Sequence, residues 1–364
     1  MSKLWSPLAR RLTPYVPGEQ PHSQRVLKLN TNENAYPPSP AALAGIPNAL
    51  DLLRRYPDPQ SKALRAAVAR RSGVPVESVF AGNGSDEVLA LCFLALIKGR
   101  GMLRFPDVSY SFYPVWSATF EVEYEAVPLA ADLALDLSRY PAGDGTILFP
   151  NPNAPTGRSV SRDEIEALLA THQDDLVIVD EAYVEFGAQS AVPLIARFSN
   201  LLVVQTLSKS HSLAGLRVGF ALGHPTLVEG LDRIKSSFNS YPIDRIAESV
   251  AIAALEDEPH QRSCRDRLVA TRESTTRALE QLGFAVLPSA ANFVFARHPD
   301  HSGGDLLRQL RARDILVRHF DWPRTRDHVR ITIGTDEEMG TLLTALRELL
   351  ARDSFADRAF ADRA

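Results

Sequence analysis

Leu201-Leu-Val-Val-Gln205 runs straight into Thr206-Leu-Ser-Lys-Ser-His-Ser-Leu-Ala-Gly-Leu-Arg-Val-Gly-Phe220. The first five residues form a short apolar run, the pattern of a buried strand. From Thr206 onward the chain abandons that pattern for hydroxyl groups, one lysine, glycines and one arginine. A lysine at the carboxyl end of a strand can be the amine that forms a Schiff base with a carbonyl cofactor. Ser208 and Arg217 are residue types that hold a phosphate. Lys209 and Arg217 lie eight positions apart, too far to share one helical turn, but a loop that folds back brings both to one ligand. A strand-to-loop crossing with a surface Lys and Arg would read the same way. The stretch gains weight only from matching parts elsewhere.

Working towards the amino terminus, Leu176-Val-Ile-Val-Asp-Glu-Ala-Tyr183 is a strand that ends in two acids. Asp180, after four apolar residues, is costly to bury unpaired and needs a cationic nitrogen or a structural Arg as its partner. Thr146-Ile-Leu-Phe149 reads as another strand, entering the rigid loop Asn151-Pro-Asn-Ala-Pro-Thr-Gly157, where Ala154–Pro155 is a candidate cis bond. Ser161-Arg-Asp-Glu164 is a capping box opening a helix. Gly82-Asn-Gly-Ser-Asp-Glu87 comes after a short strand and precedes an apolar helix. Glycine permits close backbone approach and a helix start favours an anion, so Gly84, Ser85 and Asp86 form a candidate phosphate cradle. Asp86 and Glu87 are equally explained as first-turn acids. Strands and helices alternate from about 78 to 225, which indicates a mostly parallel sheet flanked by helices. Ligands of such sheets sit outside the carboxyl ends of the strands, where these loops, Asp180 and Lys209 all fall.

Beyond this core the pattern changes. Residues 1–30 are rich in Pro and polar residues and read as an arm. Leu29-Asn-Thr-Asn-Glu-Asn34 is a polar loop suited to lining a cleft, and Arg55-Tyr-Pro-Asp58 is a proline-locked turn. Tyr110, in an aromatic-rich run, can stack on a planar ring or pack in the core. After about Glu256 a long helix, short strands and a final helix over Glu337 to Ala351 suggest a small α+β domain. Arg318 and Arg330 each sit on a short strand, a rigid mounting for an anionic substrate. Phe355-Ala-Asp-Arg-Ala-Phe-Ala-Asp-Arg-Ala364 writes one unit twice. The expected organisation is an arm over 1–30, a large domain over 31–256, a small domain over 257–352 and a flexible tail over 353–364.

Composition excludes several classes. Hydrophobic residues make up 45% and charged residues 23% of 364, and the formal charge is −4. That is ordinary for a globular enzyme and offers no electrostatic footprint for nucleic acid or an anionic membrane. Cys92 and Cys264 lack metal-ligand spacing and read as buried free thiols. No apolar run reaches the length of a membrane span, and a cytoplasmic location is expected.

Together these motifs resemble a known family. Asp180-Glu-Ala-Tyr183, Ser208-Lys-Ser and Arg217 resemble the fold-type I pyridoxal-phosphate aminotransferases. Tyr15-Val-Pro-Gly18, Leu29-Asn-Thr-Asn-Glu-Asn34, Arg55-Tyr-Pro-Asp58, Gly82-Asn-Gly-Ser-Asp-Glu87 and Val329-Arg-Ile-Thr-Ile-Gly-Thr335 are similar to the histidinol-phosphate aminotransferases within it. The resemblance runs from about residue 13 to 350. It implies an α/β large domain with a mostly parallel seven-stranded sheet, a small α+β domain, and pyridoxal 5′-phosphate as cofactor. It further implies that Lys209 carries the cofactor and moves the substrate proton, that Asp180 pairs with the pyridine nitrogen, and that Tyr183 and Asn153 bond the phenolic oxygen. Tyr110 would stack on the ring. Gly84, Ser85, Asp86, Ser208 and Arg217 would hold the phosphate, with Tyr56 arriving from the second subunit of a homodimer. Tyr15, Asn32, Glu33, Arg318 and Arg330 would bind substrate. One departure is visible: relatives often carry a second Asn where this chain has Ala154.

The implied reaction is amino transfer between L-histidinol phosphate and 2-oxoglutarate, giving imidazole-acetol phosphate and L-glutamate, in L-histidine biosynthesis. Three alternatives share the motifs: an aromatic amino-acid aminotransferase, a phospho-amino-acid decarboxylase, and a cofactor-binding regulator without turnover. The last usually carries a DNA-binding segment before the core, and only an arm-like stretch stands there.

Overall fold

Leu176–Asp180 and Leu201–Thr206 are apolar and buried almost throughout, as strands covered on both faces must be. They sit at the centre of the main sheet. The computed structural model describes residues 3–21, 23 and 25–361; the side chains of 48 and 352–361 fall outside that description. The strands are β1 (Leu27–Lys28), β2 (Val79–Gly82), β3 (Leu103–Pro106), β4 (Tyr124–Val127), β5 (Thr146–Pro150), β6 (Leu176–Asp180), β7 (Leu201–Thr206), β8 (Gly219–Gly223), β9 (Ala285–Val286), β10 (Phe293–Arg297), β11 (Ile315–Leu316), β12 (Arg318–His319) and β13 (His328–Thr332). The helices are α1 (Pro7–Arg11), α2 (Pro40–Ala44), α3 (Ile46–Leu50), α4 (Lys62–Ser72), α5 (Gly84–Cys92), α6 (Phe112–Phe120), α7 (Arg162–Thr171), α8 (Pro225–Phe238), α9 (Arg245–Glu256), α10 (Glu258–Gln281), α11 (Gly303–Arg311) and α12 (Asp336–Ala361).

The main sheet has seven strands in the order β2-β8-β7-β6-β5-β3-β4. All neighbours are parallel except β8, which is antiparallel to both β2 and β7. Two reversals cancel, so the carboxyl end of β2 lies on the same edge as those of β5, β6 and β7. The expected mostly parallel seven-stranded sheet is present. Asp180 is in register with Pro150 on one side and Val204 on the other, which aligns three strand tips.

Helices pack on both faces of this sheet, and separate apolar clusters line them. One contains Leu64, Ile165, Val179, Val203 and Val250; the other contains Phe80, Val88, Tyr113, Ile178 and Val204. Residues 178 and 179, or 203 and 204, point to opposite faces because side chains alternate along a strand. The capping box of Ser161 and Glu164 opens α7 as expected. Ala154–Pro155 is cis as anticipated, and Asn151–Pro152 is cis as well.

The carboxyl-terminal part carries an antiparallel sheet in the order β12-β13-β10-β9. β1 pairs in parallel with β11, so a strand from the amino-terminal arm belongs to this second layer. Leu29 and Tyr36 join its core with Phe186, Leu268 and Val294. The last helix continues to Ala361, past the end expected at Ala351, while residues 362–364 of the repeated tail lie outside the described residues.

Candidate active site

The strand tips, the start of α5 and the segment around Asn32 enclose one cleft. It is lined by Tyr15, Ser85, Asp86, Tyr110, Asp180, Tyr183, Ser208, Lys209 and Arg217, with Arg318 and Arg330 from the small sheet. Asn32 also reaches it. Lys209 lies three residues beyond the end of β7. Its Nζ donates to the Thr31 carbonyl at 3.0 Å and lies 5.7 Å from the centre of the Tyr183 ring. Asn34 donates its amide to the Lys209 carbonyl at 3.0 Å, tying the lysine's backbone to the polar segment.

Asp180 ends β6 with 5% exposure. Its Oδ1 accepts from the Ala182 N–H at 3.2 Å and its Oδ2 from the Tyr113 hydroxyl at 3.0 Å. Burial pushes its carboxyl up to about 6, against the downward pull of those two bonds. Among the described residues no side-chain cation forms an ion pair with it. A buried carboxylate in that state is complementary to a protonated ring nitrogen.

The candidate phosphate cradle lies where α5 begins. Gly84 has φ +79, and a Cβ there would sit 2.5 Å from Arg217 Nη2. Any larger residue would therefore displace the guanidinium. A Cβ on Gly219 would lie 2.4 Å from the Ser85 nitrogen, so β8 approaches the start of α5 this closely only because position 219 is glycine. Arg217, itself left-handed at φ 57, reaches Ser208 Oγ at 3.4 Å and Asp86 Oδ2 at 3.1 Å. The helix-start amides, one hydroxyl and one guanidinium converge as an anion site requires. Tyr110 donates to Asp86 Oδ1 at 2.8 Å, which fixes its ring at the cleft wall.

Opposite the cradle, Arg318 and Arg330 are directly paired across β12 and β13. Like charges facing each other on one sheet repel unless an anion is shared between them. Arg330 Nη2 donates to the Asn30 carbonyl at 3.0 Å, its Nε is buried without a partner, and its guanidinium lies 5.3 Å from the Phe293 and Phe320 ring centres. Burial lowers its pKa. Arg318 donates to the carbonyls of Val16 and Pro17 at 2.9 and 3.3 Å, which draws the arm across the mouth beside Tyr15. Tyr15 stacks on Phe112 at 4.3 Å.

Two expected contacts are not made, and a third, that of Tyr56, is one expected from a second subunit. Asn153 does not line the cleft: its amide donates to the Val108 carbonyl and Thr156 Oγ1, and its Oδ1 is buried without a partner. Ala154 takes the place on the cleft wall, so the Asn153 contact is corrected to a side chain turned into its own loop. Glu33 is ion-paired to Lys28 and does not line the cleft. Its pKa is lowered because the bond to and charge of Lys28 outweigh the cost of burial. Tyr56 is 78% exposed and stacks on Tyr241 at 4.7 Å, away from the cleft of its own chain.

Thr31 and Asn34, from the loop expected to line a cleft, bond Lys209, and Tyr113, for which no role was expected, bonds Asp180. The alternating Asn30, Asn32 and Asn34 were the available signal, since short amides bond backbone where no ladder is present. His211, beside the lysine, is buried against Ser210 Oγ, and burial holds its pKa down to about 3, so it is a neutral structural residue. Cys92 and Cys264 are buried and unpaired with each other. A larger cavity of about 580 Å³ shares Ala182 and Thr206 with the cleft but is not lined by Lys209, Arg217 or Arg330. The candidate site residues line the smaller space.

Residues 24–346 match the family model described as aminotransferase class I and II. The chain is 57% identical over 350 residues to histidinol-phosphate aminotransferase 1 of Bradyrhizobium diazoefficiens, covering 96% of this chain and 100% of that protein. It is 56% identical over 355 residues to histidinol-phosphate aminotransferase of Aromatoleum aromaticum, again covering 96% and 100%. The solved structure of histidinol-phosphate aminotransferase from Sinorhizobium meliloti, a complex with pyridoxal-5′-phosphate, superimposes with a TM-score of 0.85 at 25% identity, covering 97% of this chain and 99% of that one. With these matches along nearly its whole length, the chain belongs to the aminotransferase class I and II family.

Proposed function

We propose that this protein is a histidinol-phosphate transaminase that moves an amino group reversibly between L-histidinol phosphate and 2-oxoglutarate, giving imidazole-acetol phosphate and L-glutamate, in L-histidine biosynthesis. The observation that carries the reading is the pairing of Arg318 with Arg330 in the cleft that holds Lys209. One pocket must accept a phosphate in one half-reaction and a carboxylate in the other. A planar guanidinium binds either anion through two parallel bonds.

The residues present fit pyridoxal 5′-phosphate. Gly84 leaves room for Arg217 at a helix start, and Asp180 is a buried carboxylate without an ion-pair partner among the described residues. Lys209 would hold the cofactor, with the α5 amides, Ser208 and Arg217 on its phosphate, Asp180 on its ring nitrogen and Tyr110 against its ring. When bound, the cofactor supplies an electron-withdrawing ring that stabilises negative charge at the substrate carbon. Once the substrate amine has displaced it from the cofactor, the freed Lys209 Nζ would take the proton from the substrate carbon that bears the nitrogen, acting as general base. Asn32 donates to the Tyr183 oxygen at 3.0 Å, which leaves the tyrosine's own proton to be donated into the cleft. Arg330 and Arg318 orient the distal anion, and Tyr15 closes the mouth against water.

The working unit is a homodimer in which Tyr56 completes the partner's phosphate site. Tyr241, stacked on Tyr56, and Leu50, Leu52, Leu53 and Phe238, near these two in sequence, are 41–77% exposed, apolar surface that a second copy would cover. No helix among the described residues is long and apolar enough to cross a membrane, which suits the expected cytoplasmic location.

The test is a single half-reaction followed by cofactor absorbance. L-histidinol phosphate should convert the bound cofactor to its amine form far more efficiently than L-phenylalanine or L-tyrosine. Preference for the aromatic amino acids would reassign the substrate. Release of carbon dioxide, or no conversion by any amine, would replace transamination itself.

A further inference from the structure

We propose that Tyr113 is a positioning residue for the reaction, its hydroxyl holding the Asp180 carboxylate in the orientation that meets the cofactor's ring nitrogen. The inference rests on the proposed cofactor site and adds a residue to it. Tyr113 is fully buried on α6 and does not line the cleft, so it reaches a bound molecule only through Asp180. Its Oη lies 3.0 Å from Oδ2, and the Ala182 N–H lies 3.2 Å from Oδ1. One donor on each oxygen removes rotation about the last side-chain bond. The carboxylate plane is set before anything enters.

The ring that carries this hydroxyl is itself fixed. It packs edge-on against Phe105 at 5.6 Å and Tyr110 at 5.7 Å, and lies 6.3 Å from Trp116. Tyr110 is a cleft residue, so the same aromatic cluster sets both the face and the acid of the site. Burial, the Asp180 charge and the bond to Asp180 push the Tyr113 phenol well above 10, so it is always a donor. At Asp180, burial favours the neutral acid, the Tyr113 and Ala182 bonds favour the anion, and Asp86 opposes it. Without the hydroxyl, one of two supports for the charge is gone and the carboxyl rises further. A neutral acid cannot keep a ring nitrogen protonated.

The bland alternative is a tyrosine that only fills the core. Tyr113→Phe separates the two, because it deletes one oxygen and keeps the ring. The holoenzyme is loaded with nitrogen-15-labelled pyridoxal phosphate, and the ring-nitrogen chemical shift is read at neutral pH. The nitrogen is expected to be protonated in the wild type and largely unprotonated in Tyr113→Phe. Cofactor affinity should fall about tenfold or more, while affinity for the carbocyclic analogue, whose ring nitrogen is carbon, should stay within about twofold. An unshifted nitrogen signal, or equal losses for both ligands, overturns the proposal.

Should Tyr113→Phe fail to fold, the wild-type enzyme still decides the matter. The carbon-13 signal of the Tyr113 hydroxyl-bearing carbon should differ between protein loaded with pyridoxal phosphate and with the carbocyclic analogue. Identical signals would mean that Tyr113 does not sense the ring nitrogen. Asp180→Asn distinguishes the two levels of failure. If it leaves the nitrogen-15 shift unchanged, the assignment of Asp180 falls; if it shifts the signal and Tyr113→Phe does not, only the role of Tyr113 falls.

Discussion

Asn32 donates its side-chain amide to the Tyr183 phenol oxygen at 3.0 Å, joining residues 151 positions apart. The same Asn32 is left-handed at φ 56, and its Oδ1 accepts from Thr332 Oγ1 at 3.1 Å. A turn residue from the arm side therefore links a strand of the small sheet to a phenol just after β6. Asn32→Gly keeps the left-handed backbone and removes only the amide. A fall of about tenfold in kcat is expected, the worth of one ordinary hydrogen bond. Steady-state kinetics with histidinol phosphate checks it, and an unchanged kcat would remove Asn32 from the site.

Gly84→Ala is expected to damage the phosphate site twice over. The added Cβ would lie 2.5 Å from Arg217 Nη2, and alanine at φ +79 strains the backbone by about 1–2 kcal/mol. The guanidinium can swing aside, but only by giving up Ser208. Cofactor affinity should weaken by about tenfold or more, measured by titrating the cofactor-free protein, while the melting temperature falls only modestly.

In the proposed reaction Arg330 would serve both half-reactions, so its loss should be felt in both. Arg330→Ala should lower kcat/KM by about a hundredfold with L-glutamate and with histidinol phosphate alike, as expected for a charge-assisted bidentate contact. Arg330→Lys should recover only part of this, because an ammonium cannot match the planar fork. Loss with one substrate alone would mean that the two anions bind in different places.

The adjacent acids Asp180 and Glu181 set a pH dependence. Burial pushes them up to about 6 and about 7, Glu181 despite bonds from Ser190, Ala191 and Gln205. Both folded values lie above the unfolded ones near 4, so the folded state favours the proton. The stability this contributes is present in full below about pH 4 and is lost as pH rises through 6 and 7, on the order of 3 kcal/mol per group. In cofactor-free protein, Glu181→Gln should flatten that decline, as read by denaturant unfolding from pH 4.5 to about 8. A steeper decline in the variant would contradict the assignment.

Much of this site was legible because each part is a local pattern. The apolar runs before Asp180 and Lys209 announce buried strands, and the residues that break them mark the functional edge. Gly84 and Arg217 are separated by more than a hundred positions, yet each carries its own signal of a backbone or charge suited to phosphate. Tyr113 carried none, since its bond to Asp180 depends on how α6 packs beside β6, a relation with no sequence period. The direction of the Asn153 side chain was hidden for a similar reason. Adjacent residues of a rigid loop face opposite ways, and only the fold shows that Ala154 is the one on the cleft wall. The antiparallel placement of β8 and the pairing of β1 with β11 were also hidden, because short apolar strands do not specify their neighbours.

The most direct measurement is borohydride reduction of the cofactor-loaded enzyme, then peptide mass analysis of the wild type and of Lys209→Ala. The cofactor mass is expected on the peptide containing Lys209 in the wild type and on no peptide of the variant, which should also form no glutamate from histidinol phosphate and 2-oxoglutarate. A cofactor adduct on a different lysine, or undiminished turnover in Lys209→Ala, would contradict the assignment of Lys209 on which the site is built.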